Sequence, residues 1–478
     1  MLKLLFLTHR YLGISLGIIM VLWCLSGFIM MYKPYPELSR EESLILLNEL
    51  DLEDCCDEVS PQGLDEIAYQ DFEIQMLDSL PVLHLNGEDG RLVTVDLFHK
   101  RLFYSVQEMF AQKIAHNFAV SQNYPDARLV SEIYNDQWTV YGAYDPHRPL
   151  YHMAADDGVG TQWYMSSRTG EVIQLTTREQ RIWGYLGAVI HWLYPTILRE
   201  KVTLWSQTVI WLTIIGIFLT STGLYFGFRQ YKQRSSGRKS PYRGLSRWHH
   251  IAGLSFGFLT FSWVLSGLFS MQPWGLMEGE GAQAEQELLN GRMIQWQEIN
   301  NILPRFAEMT LPKDTVKIEG RVLQRQLALY AVSRNGERLR FNASSLKAEP
   351  LNETGLQSLA AQLSTNGPPL LAGLIVEEDS YYFNHHEKVQ LPAFRVIADD
   401  GEQTRYYLEP TNGEILEKVD TEDRWYRWLH YGLHRGDFTF FLRSRPIWDI
   451  FMWTLLLGVT SVCITGMLMG FRRITRSI

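Results

Sequence analysis

The chain has 478 residues, 46% of them hydrophobic and 20% charged, and its 44 basic and 53 acidic side chains leave a formal charge of −9. A mean hydropathy of −0.12 excludes a chain that is mostly membrane and would suit an acidic soluble protein. The average conceals a segregation, because residues 11–32, 204–228, 251–271 and 447–471 each reach the roughly 20 apolar residues that a bilayer requires.

In chain order, the first span follows His9 and Arg10. Its apolar run is too long for the h-region of a secretory signal, and no small-x-small cleavage site follows Ser26-Gly27-Phe28, so it reads as a retained helix. Cys55 and Cys56 are adjacent in an acidic segment with no CxxC or HxxxH partner nearby. A vicinal disulfide or metal contact is the lesser reading there, and the four cysteines give no disulfide framework. Cys24 and Cys463 lie inside spans, as small apolar residues.

A hairpin is expected over residues 83–103 and a helix over 106–120. Leu150–Ala155 alternates as a strand, Asp156-Asp157-Gly158 turns, residues 161–165 form a second strand, and Thr169-Gly170 turns into Glu171-Val172-Ile173. His191 precedes the second span. Residues 229–249 then carry Arg229, Lys232, Arg234, Arg238, Lys239, Arg243 and Arg247 and no acid. After the third span the pattern returns as a hairpin over 327–341, a helix over 356–363, strands over 394–398 and 404–408 around Asp399-Asp400-Gly401, and Asn412-Gly413. His430 and His434 precede the fourth span, and Arg472, Arg473 and Arg476 close the chain. With Lys3 and Arg10, twelve cations fall on one side. The positive-inside rule therefore places both termini and the short loop in the cytoplasm and the long segments outside.

The two halves repeat. Thr8-His9-Arg10-Tyr11-Leu12-Gly13 and Trp23-Cys24-Leu25-Ser26-Gly27 match, at +240, Trp248-His249-His250-Ile251-Ala252-Gly253 and Trp263-Val264-Leu265-Ser266-Gly267. At +243, Gly227-Phe228-Arg229 matches Gly470-Phe471-Arg472, Trp205 matches Trp448, and Gly170-Glu171-Val172 matches Gly413-Glu414-Ile415. Each half is then a span, an external α+β domain and a span, and the repeats run parallel. The expected divisions are span 1 (1–32), domain 1 (33–180), an interfacial helix with span 2 (181–229), the basic loop (230–248), span 3 (249–272), domain 2 (273–422), and an interfacial helix, span 4 and basic tail (423–478).

His9-Arg10-Tyr11-Leu12-Gly13, the Ser-Gly pairs of the first and third spans, the strand–turn–strand ending in Gly-Glu-Val or Gly-Glu-Ile, and Leu429-His430-Tyr431-Gly432-Leu433-His434-Arg435-Gly436 carry a resemblance. Through them the chain resembles the PepSY-associated transmembrane family, and within it a bacterial iron-regulated inner-membrane branch that includes siderophore reductases. The resemblance covers nearly the whole chain. The sequence departs from the pattern at His250, where the first half has Arg10, and at Ile190-His191-Trp192-Leu193-Tyr194-Pro195, which lacks a counterpart of Gly436. The implied fold is an α-helical integral membrane protein of four transmembrane helices in two parallel repeats, each with an α+β PepSY-like periplasmic domain.

No GxGxxG, GxxxxGK[ST], HExxH or GxSxG is present, so the chemistry rests on the placement of thirteen histidines. His9 interrupts an apolar run and is a functional candidate by default, although a His-Arg pair snorkelling to headgroups also accounts for it. His249 holds the matching position in the third span. Two parallel repeats bring both imidazoles to one leaflet, as a bis-imidazole haem site in a helical bundle requires. His250 points ~100° away on the helix, so only one of His249 and His250 can be that ligand, and the repeat favours His249. On the outer side His191 pairs with His434 at +243 or with His430 at +239, one helical turn apart. A second haem there is the parallel inference; zinc or copper, or a plain interfacial cluster, are the alternatives. The cofactor-binding candidates are thus His9, His249, His250, His191, His430 and His434, with His9, His249, His191 and His434 as axial ligands of two bis-His haems b. No catalytic residue is singled out.

His116 and the His385-His386 pair lack repeat partners and read as surface or core. Trp183, Trp192, Trp205, Trp425, Trp428 and Trp448 suit an interfacial belt, and Asp449 suits a hydrogen-bonding or proton role or contact with water. The resemblance implies an oxidoreductase of the ferric-siderophore reductase type, taking electrons from a quinol or cytoplasmic reductase, since no flavin or nicotinamide domain is present. The acceptor would be a ferric-siderophore or other iron chelate, which holds ferrous ion far less tightly and releases it. No nucleic-acid partner is expected. The alternative is a non-enzymatic membrane protein whose PepSY-like domains bind a peptide, protein or envelope partner.

Overall fold

The computed structural model describes residues 2–475 except 54, 61–62, 104, 232–239 and 385–387. Four helices are long and apolar enough to cross a membrane: Leu2–Met30, Val202–Gln230, Gly244–Phe269 and Ile447–Ile474, spans 1 to 4. Span 1 starts at Leu2 rather than at residue 11, because Leu4–Leu7 continue its apolar face; His9 and Arg10 therefore lie within the helix. The spans are neighbours in ring order, with spans 1 and 3 each packed against spans 2 and 4. Small residues permit close approach: a Cβ on Gly17 would lie 3.4 Å from the Met467 backbone. Leu16, Met20, Val21, Leu219, Val264 and Val459 form the bundle core, with Cys24 and Cys463 as further small side chains there, their sulfurs 3.7 Å apart. One end of the bundle gathers the cations flanking the spans. The extramembrane modules stand at the other.

Between spans 1 and 2 run strands Ala68–Leu77 (β1), Leu80–Gly87 (β2), Leu92–Asp96 (β3) and Arg101–Phe103 (β4), helix Glu108–Ser121, and strands Ala127–Ile133 (β5), Leu150–Ala155 (β6), Gln162–Ser166 (β7) and Val172–Thr176 (β8). Between spans 3 and 4 come Ile294–Gln295 (β9), Thr315–Leu323 (β10), Gln326–Ser333 (β11), Arg338–Asn342 (β12), helix Glu353–Gln362, and Leu371–Ile375 (β13), Ala393–Ile397 (β14), Arg405–Leu408 (β15) and Ile415–Val419 (β16). β5–β8 and β13–β16 are separate four-stranded antiparallel sheets, each in sequential order. The remaining strands form one sheet, β12-β11-β10-β1-β2-β3-β4 with β9 on β1, so the two long segments are joined at the β1–β10 seam. That seam sets Glu73 opposite Glu319. Like charges there would repel, but Lys317 Nζ lies 2.9 Å from one carboxylate and 2.8 Å from the other. Burial alone would lower the Lys317 pKa; the two carboxylates outweigh it and raise it.

Cys55 and Cys56 form a vicinal disulfide, the reading the sequence disfavoured. The chain turns at Cys56 (φ 76°) and buries it with Val59 and Leu64, which holds the neighbouring sulfurs together without any distant partner.

Two interfacial helices aim the outer histidines. Arg178–Gly184, capped by Thr177 with Gln180, continues through a π-helical turn at Tyr185–Val189 to His191. Thr421–Tyr426, capped by Asp420 with Asp423, continues through a π-helical turn at Arg427–Gly432 to Leu433–Arg435. Such turns insert a residue into the helical ladder and are frequent at functional sites. The first helix docks on span 1 and the second on span 3.

Candidate functional site

Each span carries one hydroxyl–glycine pair: Ser26-Gly27, Thr222-Gly223, Ser266-Gly267 and Thr465-Gly466. Each pair holds one histidine from a neighbouring helix. At the basic end, His9 Nδ1 lies 3.0 Å from the Leu219 carbonyl and 3.2 Å from Thr222 Oγ1. His249 Nδ1 lies 3.2 Å from the Val462 carbonyl and 3.1 Å from Thr465 Oγ1. At the module end, His191 Nδ1 lies 3.1 Å from both the Trp23 carbonyl and Ser26 Oγ. His434 Nδ1 lies 3.0 Å from Ser266 Oγ, with Trp263 as its backbone partner. Carbonyl, hydroxyl and glycine thus fall at n, n+3 and n+4, on one face of one helical turn.

A carbonyl only accepts, so Nδ1 carries the proton in all four rings and Nε2 keeps its lone pair. None of the four Nε2 atoms has a hydrogen-bond partner among the described residues. The glycines make room for the rings. A Cβ on Gly223 would lie 2.8 Å from His9 Cε1 and one on Gly466 3.1 Å from His249 Cε1, against 3.9 Å for Gly27 with His191 and 3.7 Å for Gly267 with His434.

The two ambiguous pairs separate on this geometry. His250, 7% exposed, has both nitrogens engaged, Nδ1 with Ser240 Oγ and Nε2 with the Gly227 carbonyl, each at 2.9 Å. It ties the basic loop to the end of span 2 and has no lone pair to offer. His249 keeps one, and it lies within electrostatic reach of His9. His430 donates from Nδ1 to the Ser266 carbonyl at 3.2 Å, and its ring lies 5.2 Å from that of His434 at 31°. The His191 and His434 rings are 6.0 Å apart at 74°. Two metal–nitrogen bonds of about 2 Å plus two ring radii span roughly 6 Å, a separation that His191 and His434 meet and the tilted His430–His434 pair does not.

A cavity of about 2180 Å³ opens at the module end. His191, His430 and His434 line it with Trp23, Trp192 and Trp263, and it reaches Cys24 within the bundle and Arg40 and Glu409 of the modules. His9 and His249 are not among its walls. Among the described residues no group of three or more His, Cys, Asp or Glu side chains is placed to hold a bare metal ion. Two-imidazole sites suit an iron that brings its own equatorial ligands, as haem does.

The model of the PepSY-associated transmembrane region matches residues 6–473, nearly the whole chain. The chain belongs to this family. Comparison with curated proteins finds no match. In this PepSY-associated transmembrane protein the interfacial tryptophans do more than sit in a belt: Trp205 Nε1 donates to the Trp192 carbonyl at 2.9 Å and Trp448 Nε1 to the Arg435 carbonyl at 2.8 Å, fixing the residue after each outer histidine. Asp449 pairs with Arg445 at 3.5 Å. His116 is exposed, and His385 and His386 lie outside the described residues. Thr222-Gly223 and Thr465-Gly466 escaped the sequence reading, which noticed only the two Ser-Gly pairs. The recurrence of one hydroxyl–glycine pair per span was the signal that would have found them.

Proposed function

We propose that this chain is a haem-containing reductase of the bacterial inner membrane, built as two parallel repeats, that passes electrons from the cytoplasmic side to a ferric-siderophore or other iron chelate in the periplasm and so releases ferrous iron. The observation that carries the proposal is the fourfold imidazole device, with Nδ1 fixed by a carbonyl and a hydroxyl and Nε2 free. His9 and His249 would hold one haem b and His191 and His434 the other. Haem bound there supplies reversible one-electron chemistry. The protein's part is to fix one tautomer and ring orientation and, through the carbonyls, to raise the basicity of Nε2. The cavity beside His191 and His434 would admit a chelate.

Two features support the orientation. The cations at one end favour the cytoplasm, and the Cys55–Cys56 disulfide belongs to an oxidising compartment. The electron donor would be a quinol or a cytoplasmic reductase.

A second reading draws on the edge strand β13, where Leu371 (40% exposed) and Leu374 (58%) would accept an added peptide strand, as in partner-binding modules. Absorbance decides between them. Membranes from haem-replete cells should show a Soret band with sharp reduced α and β bands of low-spin bis-imidazole haem. A folded but colourless preparation would sink the reductase reading and leave the binding module.

A further inference from the structure

At the offset of 243 residues that relates His191 to His434, the wall of the outer cavity breaks the correspondence at several positions, three of them close to the outer histidines. Tyr426 stands against Trp183, His430 against Gly187 and Arg435 against Trp192. The later wall therefore offers a hydroxyl, an imidazole and a guanidinium where the earlier offers two indoles and no side chain. All three of the later residues line the cavity.

Among the described residues the Arg435 guanidinium has no carboxylate and no hydrogen-bond acceptor; its contact is with the Tyr431 ring, 4.6 Å to the centroid. The backbone of the same residue is pinned by Trp448, so the cation is presented to the cavity from a fixed root. Leaving a half-buried charge unpaired is costly, and the cost falls away when an anion enters. His430 offers no free Nδ1–H, because that nitrogen already donates to the Ser266 carbonyl. Lys33, Arg40, Arg338 and Lys388 line the same cavity towards the modules, among several glutamates, whereas Arg435 is the cation carried by the residue next to His434. The Tyr426 hydroxyl, which has no hydrogen-bond partner among the described residues, is a second donor beside it.

We infer that Arg435, assisted by Tyr426, is a carboxylate-binding point in the outer cavity, present on one side of it only. Guanidinium matches a carboxylate with two parallel N–H donors. The carboxylate has two possible sources: a propionate side chain of a porphyrin held by His191 and His434, or the acidic group of a small molecule entering from the module side. The inference rests on the reductase reading for the first source and is independent of it for the second.

The test uses the full chain in lipid nanodiscs, with Arg435→Met, Arg435→Lys and Tyr426→Phe. Stripped protein is titrated with haem b and with its dimethyl ester, following the Soret band, and separately with citrate by calorimetry. If the carboxylate belongs to the porphyrin, R435M weakens haem b by roughly tenfold and leaves the ester unchanged. If it belongs to an incoming molecule, haem binding is unaffected and R435M abolishes citrate binding. In either case R435K retains part of the affinity and Y426F loses less than R435M. The inference is overturned if R435M, with an unchanged melting temperature, binds all three probes as the parent does, or weakens haem b and its ester equally, which would mark a packing role. A parent that takes up no haem contradicts the reductase reading alone, and the citrate titration then decides the matter; absence of citrate binding as well overturns the inference.

Discussion

The two histidine layers share one holding device and differ in what surrounds it. At the basic end the rings of His9 and His249 are pressed on Gly223 and Gly466, where an added Cβ would come within 2.8 and 3.1 Å, and neither ring lines the large cavity. At the module end the same distances relax to 3.9 and 3.7 Å, a third imidazole joins the pair, and a cavity of about 2180 Å³ opens beside them. One layer seats its rings tightly on glycine, and the other borders a cavity that reaches the modules. On the proposed reductase reading, the layer that borders the cavity is the one an acceptor would reach.

The largest expected effects come from removing an imidazole. His191→Ala and His434→Ala should each abolish the same outer haem and spare the inner one. If either variant removed the inner haem instead, the layers would not be independent.

Next in size are the glycines, which test whether the rings are seated more tightly at the basic end. Gly223→Ala should displace the His9 ring, cost about 1–3 kcal/mol and lower inner haem occupancy, whereas Gly27→Ala should leave outer occupancy and melting temperature nearly unchanged. Equal effects at both would erase the comparison.

Smaller still is the hydroxyl. Thr222→Val and Ser26→Ala each remove one partner of Nδ1 while the carbonyl remains, so about 1 kcal/mol is expected, read as a modest fall in haem affinity at the corresponding layer.

The smallest effect lies at the caps that aim the interfacial helices. The first cap is neutral, Thr177 with Gln180; the second is acidic, Asp420 with Asp423. Burial, and then the Asp420 carboxylate, push the Asp423 pKa up to about 6. A raised folded-state value favours the protonated form, so its stabilisation is complete below the ordinary carboxylate range and is lost as pH rises through about 6. The melting temperature should therefore fall between about pH 4 and pH 6 and level off above, and Asp423→Asn, which can still accept at the cap, should flatten that fall. A slope unchanged in the variant would show that the pH dependence arises elsewhere.

Much of this was legible in the chain. Four apolar runs predicted the spans, and Leu150–Ala155 with its Asp-Asp-Gly turn predicted a strand pair that the structure contains. The β1–β10 seam was not legible. Phe72, Ile74 and Met76 alternate with Asp71, Glu73 and Gln75, but the partner strand lies far along the chain, and the seam places Lys317 between two carboxylates that no local pattern links. At the site, matching positions named His9 and His249 and favoured His249 over His250; the Ser240 and Gly227 contacts that engage both nitrogens of His250 are what no spacing reveals. The contact of His434 with the Ser266 hydroxyl was likewise not legible, since it is reached only through the docking of one helix on another.

The most direct measurement is the haem-to-protein ratio, with reduced-minus-oxidised spectra, of the native chain and of His9→Ala, His249→Ala, His191→Ala and His434→Ala. Two haems in the native protein and one in each variant are predicted, with His9→Ala and His249→Ala sharing one residual spectrum and His191→Ala and His434→Ala sharing the other. A haem-free native protein, or variants that keep both haems, would contradict the account.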